Sequence, residues 1–119
     1  LNYTEGVDKR GMSLEHFAAA TSTNAAKLLG MYPRKGAISV GSDADIAIID
    51  PSVKKALSMS DLHLRDYSPW EGWEVEGWPT TVMLRGNLMV DNGQLVGGPD
   101  VGKLISRKIT PSVLQRPAF

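Results

Sequence analysis

The two histidines are the first residues to consider for chemistry, because imidazole is a common metal ligand and general base. His16 and His63 stand 47 residues apart, and neither has a second histidine at the spacing of two, three or four residues that metal sites use. We expect His16 to be an ordinary helix residue near the helix N-terminus, on the face away from Phe17. His63 is also expected to be structural. One histidine with scattered carboxylates does not make a hydrolytic zinc site.

Three aspartates, Asp43, Asp45 and Asp50, raise the possibility of a calcium site or of acid–base catalysis. Turn structure is the favoured alternative, in which the short acceptor side chains bond to nearby backbone amides and Asp50 precedes a proline that ends a strand. The sequence contains neither a Gly-x-Ser-x-Gly elbow nor a phosphate-binding glycine motif. We therefore predict no catalytic, cofactor-binding or metal-binding residue in this chain.

Every tryptophan falls in the segment YSPWEGWEVEGWP, residues 67–79. Trp70, Trp73 and Trp78 could stack on bases or sugars, or they could pin a loop to a core or to a partner subunit. The segment has no Lys or Arg, which disfavours nucleic acid, so packing or an interface is the preferred interpretation.

A basic stretch follows near the C-terminus, with no acidic residue between positions 103 and 116. Its four cations suit either an acidic surface of a sister subunit or an ordinary solvated face, and both interpretations stay open. The four are Lys103, Arg107, Lys108 and Arg116.

Composition limits the class of protein. The 119 residues suffice for one domain, and thirteen basic residues balance thirteen acidic ones, so no overall charge favours nucleic acid or an anionic membrane. No apolar run approaches the ~20 residues of a membrane span, and the absence of cysteine is compatible with the cytoplasm. The chain starts at Leu1 without an initiator Met, as a fragment or processed product would.

Local patterns predict helices first and strands afterwards. Ser13 is a suitable N-cap for a helix over about 13–21, and Asn24 for a second short helix that ends at Gly30 in a left-handed conformation. After Pro33, short apolar runs alternate with turn residues, and a last short helix starts at Thr110-Pro111. The predicted strands are Ala37–Val40, Ile46–Ile49, Thr81–Leu84, Asn87–Val90 and Gln94–Val96.

The strand pattern predicts an antiparallel meander over residues 80–97, because Arg85-Gly86 and Asp91-Asn92-Gly93 are hairpin-turn sequences. The strand of the segment KGAISVGSDADIAIIDP, residues 35–51, is expected beside it. So few strands cannot close a barrel, and their edges need a cover. The predicted fold therefore looks unfinished.

Two long stretches resemble the amidohydrolase superfamily, and its hydantoinase and dihydropyrimidinase branch in particular. TSTNAAKLLGMYPRKGAISVGSDADIAIIDP is similar to the C-terminal region of that branch, and DYSPWEGWEVEGWPTTVMLRGNLMVDNGQLVG strengthens the likeness. The Gly-x-x-Ala-Asp element alone would indicate only the superfamily. The residues that carry the first match are Asn24, Lys27, Gly30, Tyr32-Pro33 and Lys35-Gly36.

The resemblance implies an α+β fragment of a much longer (β/α)8-barrel enzyme. Residues 1–34, with helices at about 13–30, would be the last barrel helices. Residues 35–99 would be the C-terminal half of the small β-sandwich, and residues 100–119 a short helix and tail that contact another subunit of a homo-oligomer. Asp43 and Asp45 would then be turn residues of the sandwich, far from any metal.

The resemblance also implies the chemistry of the parent protein. Enzymes of this branch hold two metal ions, usually zinc, and a metal-bound hydroxide opens a hydantoin or dihydropyrimidine ring. None of the metal-binding motifs matches this chain, so the 119 residues alone are expected to be non-catalytic. Two alternatives remain: part of a non-catalytic dihydropyrimidinase-like scaffold, or a stand-alone assembly module.

Overall fold

The structure is a computed structural model that describes residues 1–62 and 66–115. His63, for which a structural role is predicted, lies outside the described residues, and so do Arg116 and the C-terminal residues 117–119.

The helical part is a single long helix preceded by one wide turn. A π-helical segment, Thr4–Asp8, comes first. Helix α1, Leu14–Ala18, then continues through π-helical Ala19–Thr23 into helix α2, Asn24–Leu28. The hydroxyl of Ser13 accepts a hydrogen bond from the His16 amide at 3.2 Å, which confirms the predicted cap.

The predicted break at Asn24 is wrong. Asn24 has helical angles (φ −68°, ψ −39°), and the Thr23 hydroxyl donates to the carbonyl of Gly36 rather than capping a new helix. No Gly or Pro interrupts residues 13–29, so nothing in the backbone forces the helix to stop. Gly30 ends it in the left-handed conformation (φ +68°), as predicted.

The strands form one antiparallel sheet in the order β1-β2-β3-β4. The meander predicted for residues 80–97 is confirmed, and β1 pairs with β2. Both tight turns use positive φ at both central positions, at Arg85-Gly86 and at Asn92-Gly93. The strands are β1, Ile46–Ala56; β2, Glu74–Leu84; β3, Asn87–Asp91; and β4, Gln94–Leu95.

Two of the strands are longer than predicted. β1 runs past Pro51, where we expected it to end, and its pairing with β2 shifts between Asp50 and Lys54. β1 lies at the edge of the described sheet, and its pairing with β2 is irregular around Pro51. Although proline has no N–H, it therefore removes no inter-strand hydrogen bond there. β2 starts at Glu74 instead of Thr81, so the second half of the tryptophan segment is strand.

The strand predicted over Ala37–Val40 is wrong. Residues 37–40 contain no strand, and Ile38 and Val40 are almost fully exposed. The chain turns there instead, with the Ser42 amide donating to the Ser39 carbonyl at 3.0 Å. An apolar alternation forms a strand only where another strand can pair with it, and none does here within the described residues.

The C-terminal part adds a 3-10 turn, Pro99–Val101, and helix α3, Pro111–Gln115. α3 starts at the predicted proline, and the Thr110 carbonyl accepts from the Val113 amide at 3.0 Å. The Lys108 amide donates to the Gly30 carbonyl at 3.0 Å, so the tail runs back beside the end of α2.

The buried core is small for a chain of this length. Ala26, Leu57 and Val75 are its buried apolar residues within the described part. The radius of gyration is 16.0 Å, compared with about 14 Å for a compact domain of this size. The accessible surface is 8707 Å², compared with roughly 6300 Å² expected from the mass. The α+β class is confirmed, and the division into barrel and sandwich parts stays a prediction.

Among the described residues, no helix has the length and apolar content that crossing a bilayer requires.

Candidate functional site

The aspartates of the 35–51 segment meet a lysine that the sequence analysis did not connect with them. The ammonium of Lys35 lies 3.0 Å from Asp43 Oδ2 and also contacts Asp45 Oδ2. Arg34 Nε donates to Asp43 Oδ2 at 3.0 Å. The Lys35 side chain is only 14% exposed, so its ammonium is largely shielded from solvent.

The cluster ties the segment after the helix to the sheet. Asp45 Oδ1 accepts from the backbone amide of Arg85 at 2.8 Å, in the turn between β2 and β3. Beside it, the Gly86 amide donates to the Ala44 carbonyl at 3.0 Å. Asp43 and Asp45 therefore make structural contacts, but not the local turn bonds that we expected: Asp43 pairs with side-chain cations, and the backbone amide that Asp45 accepts from lies 40 residues away.

Charge pairing shifts the pKa of each member. The hydrogen bond from Lys35 holds the pKa of Asp43 below 3.8; burial opposes this, and Arg34 adds to the lowering. Burial raises the pKa of Asp45, but Lys35 and the Arg85 amide outweigh burial, so that pKa is also lowered. For Lys35, burial lowers the pKa and the two carboxylates more than offset it, so the pKa lies above 10.5. All three groups are charged at neutral pH, as a structural cluster requires.

Asp50 forms a separate local turn. Its Oδ1 accepts from the Ser52 hydroxyl at 2.6 Å and from the Ser52 amide at 2.8 Å. These bonds lower the pKa of Asp50. Within residues 1–62 and 66–115, no three His, Cys, Asp or Glu side chains are grouped so that they could hold a metal ion.

His16 lies at the rim of an open cleft between the Thr4–Asp8 segment and the long helix. The cleft has a volume of about 480 Å³. His16 is exposed, as the structural interpretation predicts, but Phe17 borders the same cleft, so the expected placement on opposite faces is wrong. Glu5, also at the rim, lies 2.7 Å from Lys9 Nζ and 3.7 Å from Arg10, so its charge is already neutralised by the protein.

The tryptophans divide between a loop and the sheet. Trp70 and Trp73 pack edge to face with ring centroids 5.3 Å apart, and each is 40% exposed. The Trp70 amide donates to the hydroxyl of the buried Ser68 at 3.1 Å, which fixes the loop. Trp78 lies in β2 with the ammonium of Lys55 4.5 Å from its ring centroid. These contacts are packing contacts, and they leave part of the Trp70 and Trp73 surface open.

Comparison with known proteins identifies the family. The sequence profile of the amidohydrolase family matches residues 1–89. The chain is 44% identical over 105 residues to a D-hydantoinase from Ralstonia pickettii and 42% identical over 106 residues to a D-hydantoinase from Geobacillus stearothermophilus. These matches cover 87% and 88% of this chain, and 23% and 22% of the respective relatives.

The fold agrees with the sequence matches. The crystal structure of dihydropyrimidinase from Brevibacillus agri NCHU1002 superposes on this chain with a TM-score of 0.85 at 44% identity. That match covers 91% of this chain and 24% of the dihydropyrimidinase. The chain thus spans about a quarter of the length of the relatives it matches. Because sequence and fold agree over most of its length, the chain belongs to the amidohydrolase family, with hydantoinases and dihydropyrimidinases as its relatives.

Proposed function

We propose that this chain forms the C-terminal quarter of a hydrolase that opens cyclic amides of the hydantoin or dihydropyrimidine type. In that reaction water adds across a ring C–N bond, so that the carbonyl carbon gains the hydroxyl and the ring nitrogen gains the proton. The observation that carries the proposal is the 44% identity to a D-hydantoinase along 87% of the chain. The likeness to a dihydropyrimidinase at a TM-score of 0.85 supports it.

We assign a structural part of that enzyme to each section of the chain. Residues 1–34 would be the last barrel helices, residues 35–99 the second half of the β-sandwich, and residues 100–119 a contact with another subunit. The small core and the large accessible surface support this assignment, because they suit a chain that packs against further protein. Among the described strands, none pairs with the outer edge of β1, which is the natural place for further strands.

The catalytic centre is proposed to lie in the remainder of the enzyme. The family implies two metal ions, which supply an activated hydroxide when bound. The residues that the structure describes offer no set of ligands for these metal ions. Their contribution is positional: the cluster of Lys35, Asp43 and Asp45 fixes how the helices sit on the sheet.

The setting of the enzyme belongs to the same proposal. We place the enzyme in the cytoplasm, in keeping with a sequence without cysteine. We also propose that it forms a homo-oligomer through residues 100–119. Leu104 and Leu114 support this contact because both are exposed, and the same segment carries the exposed cations Lys103, Arg107 and Lys108.

A chimera tests the proposal directly. The C-terminal quarter of the Ralstonia pickettii D-hydantoinase is replaced with these 119 residues, and hydantoin opening is followed as formation of the N-carbamoyl amino acid. We expect the chimera to turn over, and both the truncated hydantoinase and the 119-residue chain alone to be inactive. Ring opening by the chain alone would contradict the proposal. A folded but inactive chimera would count against the proposal. A stable, monodisperse oligomer formed by the 119-residue chain alone would favour the assembly module.

A further inference from the structure

The turn between β3 and β4 combines features that favour a chemical modification. Asn92 and Gly93 are its two central residues, with φ +47° and +77°, and both are exposed. They join Asp91 to Gln94, which are paired across the hairpin. This is the two-residue turn that Asn-Gly sequences prefer.

The same dipeptide places a nucleophile beside an electrophile. The backbone nitrogen of Gly93 can reach the side-chain carbonyl carbon of Asn92 by closing a five-membered ring, and Gly93 has no side chain to hinder the approach. We propose that Asn92 is a site of spontaneous deamidation. The Gly93 N–Cγ bond forms, the Cγ–Nδ2 bond breaks and ammonia leaves; water then opens the cyclic imide to give aspartate or isoaspartate.

The folded sheet controls the rate of this reaction. The Gly93 nitrogen must lose its proton to attack, and its N–H donates to the Thr80 carbonyl at 3.0 Å. The Asn92 amide nitrogen is held by Asp91 Oδ1 at 3.3 Å. Strand β4 has only two residues and both are exposed, so local opening of the hairpin is the step that releases the Gly93 amide.

The product changes the edge of the sheet. Either product adds a negative charge next to Asp91. Isoaspartate also lengthens the backbone by one carbon, which disturbs the pairing of Asp91 with Gln94. Deamidation would therefore loosen β4 and make this edge more acidic.

The experiment uses the purified 119-residue chain, incubated at neutral pH and 37 °C and sampled over weeks. Trypsin releases residues 86–103 as one peptide, which also contains Asn87. Asn87 is an internal control, because the side chain of Leu88, which follows it, hinders the ring closure that Gly93 permits. We expect the amide-to-acid mass change at Asn92, with both aspartate and isoaspartate formed, and no change at Asn87. An unchanged Asn92, or equal conversion of both asparagines, would overturn the proposal.

A synthetic peptide of residues 86–103 tests the role of the sheet. The peptide lacks the bond to Thr80, so Asn92 in the folded chain should react roughly threefold to tenfold more slowly, the factor that one hydrogen bond of ordinary net strength provides. The peptide with Gly93→Val should be nearly inert. Equal rates in the folded chain and in the peptide would overturn the protective role of the Gly93 bond, and rapid reaction of the Gly93→Val peptide would overturn the ring-closure route.

Discussion

The hydroxyl of Thr4 bonds to both backbone groups of Glu76. It donates to the Glu76 carbonyl at 2.9 Å and accepts from the Glu76 amide at 3.1 Å, 72 residues away in sequence. Thr4 is almost fully buried. One small side chain therefore bridges the two backbone groups of Glu76 in β2 and ties the first helical turn to the sheet.

Replacing Thr4 with valine should destabilise the chain strongly. Valine keeps the shape but removes the hydroxyl partner of the Glu76 amide and carbonyl at a part-buried place, which costs about 2 kcal/mol of the free energy of unfolding. Thr21→Val is the matched control. The Thr21 hydroxyl donates to the Phe17 carbonyl at an exposed position, so loss of this bond should cost less than about 0.5 kcal/mol. Urea unfolding followed by circular dichroism measures both. Equal losses of unfolding free energy in the two variants would contradict the stabilising role that we assign to the Thr4 hydroxyl.

The cluster of Lys35, Asp43 and Asp45 should make stability fall in acid. The folded-state pKa of each aspartate lies below its ordinary 3.8, so the stabilisation is present above 3.8 and is lost as pH falls through the lowered values. The double variant Asp43→Asn/Asp45→Asn should be less stable than the wild type at neutral pH, and its stability should fall less on acidification. Asp100→Asn, at an exposed position, is the control. Unfolding midpoints between pH 7 and pH 2 test this; parallel curves for wild type and the double variant would refute it.

Gly36 should tolerate alanine poorly for two separable reasons. Its φ of +77° disfavours a side chain, and an added Cβ would lie 2.6 Å from the Ala26 Cβ. Gly41 also has positive φ (+91°) but open space around it. We expect Gly41→Ala to cost about 1 kcal/mol and Gly36→Ala about 3 kcal/mol in unfolding free energy. The difference between the unfolding free energies of the two variants measures the cost of the steric contact with Ala26. Equal free energies would mean that the helix shifts at Ala26 and relieves the contact.

His16 should be dispensable for catalysis. It is exposed, and within the described residues no grouping of potential ligands includes it. In the active chimera, His16→Ala should change kcat/KM for hydantoin by less than about twofold, well under the hundredfold or more that loss of a general base brings. Metal analysis of the same samples should give unchanged content. A large loss of both activity and metal would place the site in this chain after all.

Leu104 should matter for assembly if residues 100–119 contact another subunit. Leu104→Asp places a charge at the centre of the proposed contact, and we expect the dissociation constant of the chimera's oligomer to rise by about tenfold or more. Val40→Asp is the control, since Val40 is as exposed as Leu104 but lies outside the proposed contact. Sedimentation over a concentration series measures the change. Equal effects of the two variants would argue against a contact at Leu104.

Features that depend on a few neighbouring residues could be predicted from the sequence. Ser13 caps its helix, Gly30 ends the helix in the left-handed conformation, and the two tight turns join β2, β3 and β4 as expected. Each depends on backbone conformations that only certain residue types adopt at low cost. The family likeness was also evident from the residues at 24–36 and 66–97, because it rests on residue identity.

The tertiary structure decided what depends on distant partners. Pro51 lies within a strand because β1 can shift its pairing at the sheet edge, whereas the apolar residues 37–40 form no strand because no strand pairs with them in the described structure. Lys35 joins Asp43 to Asp45, and Thr4 meets Glu76, only after the chain has folded. Local sequence sets which conformations a segment can adopt, but pairing across tens of residues determines which one is stabilised.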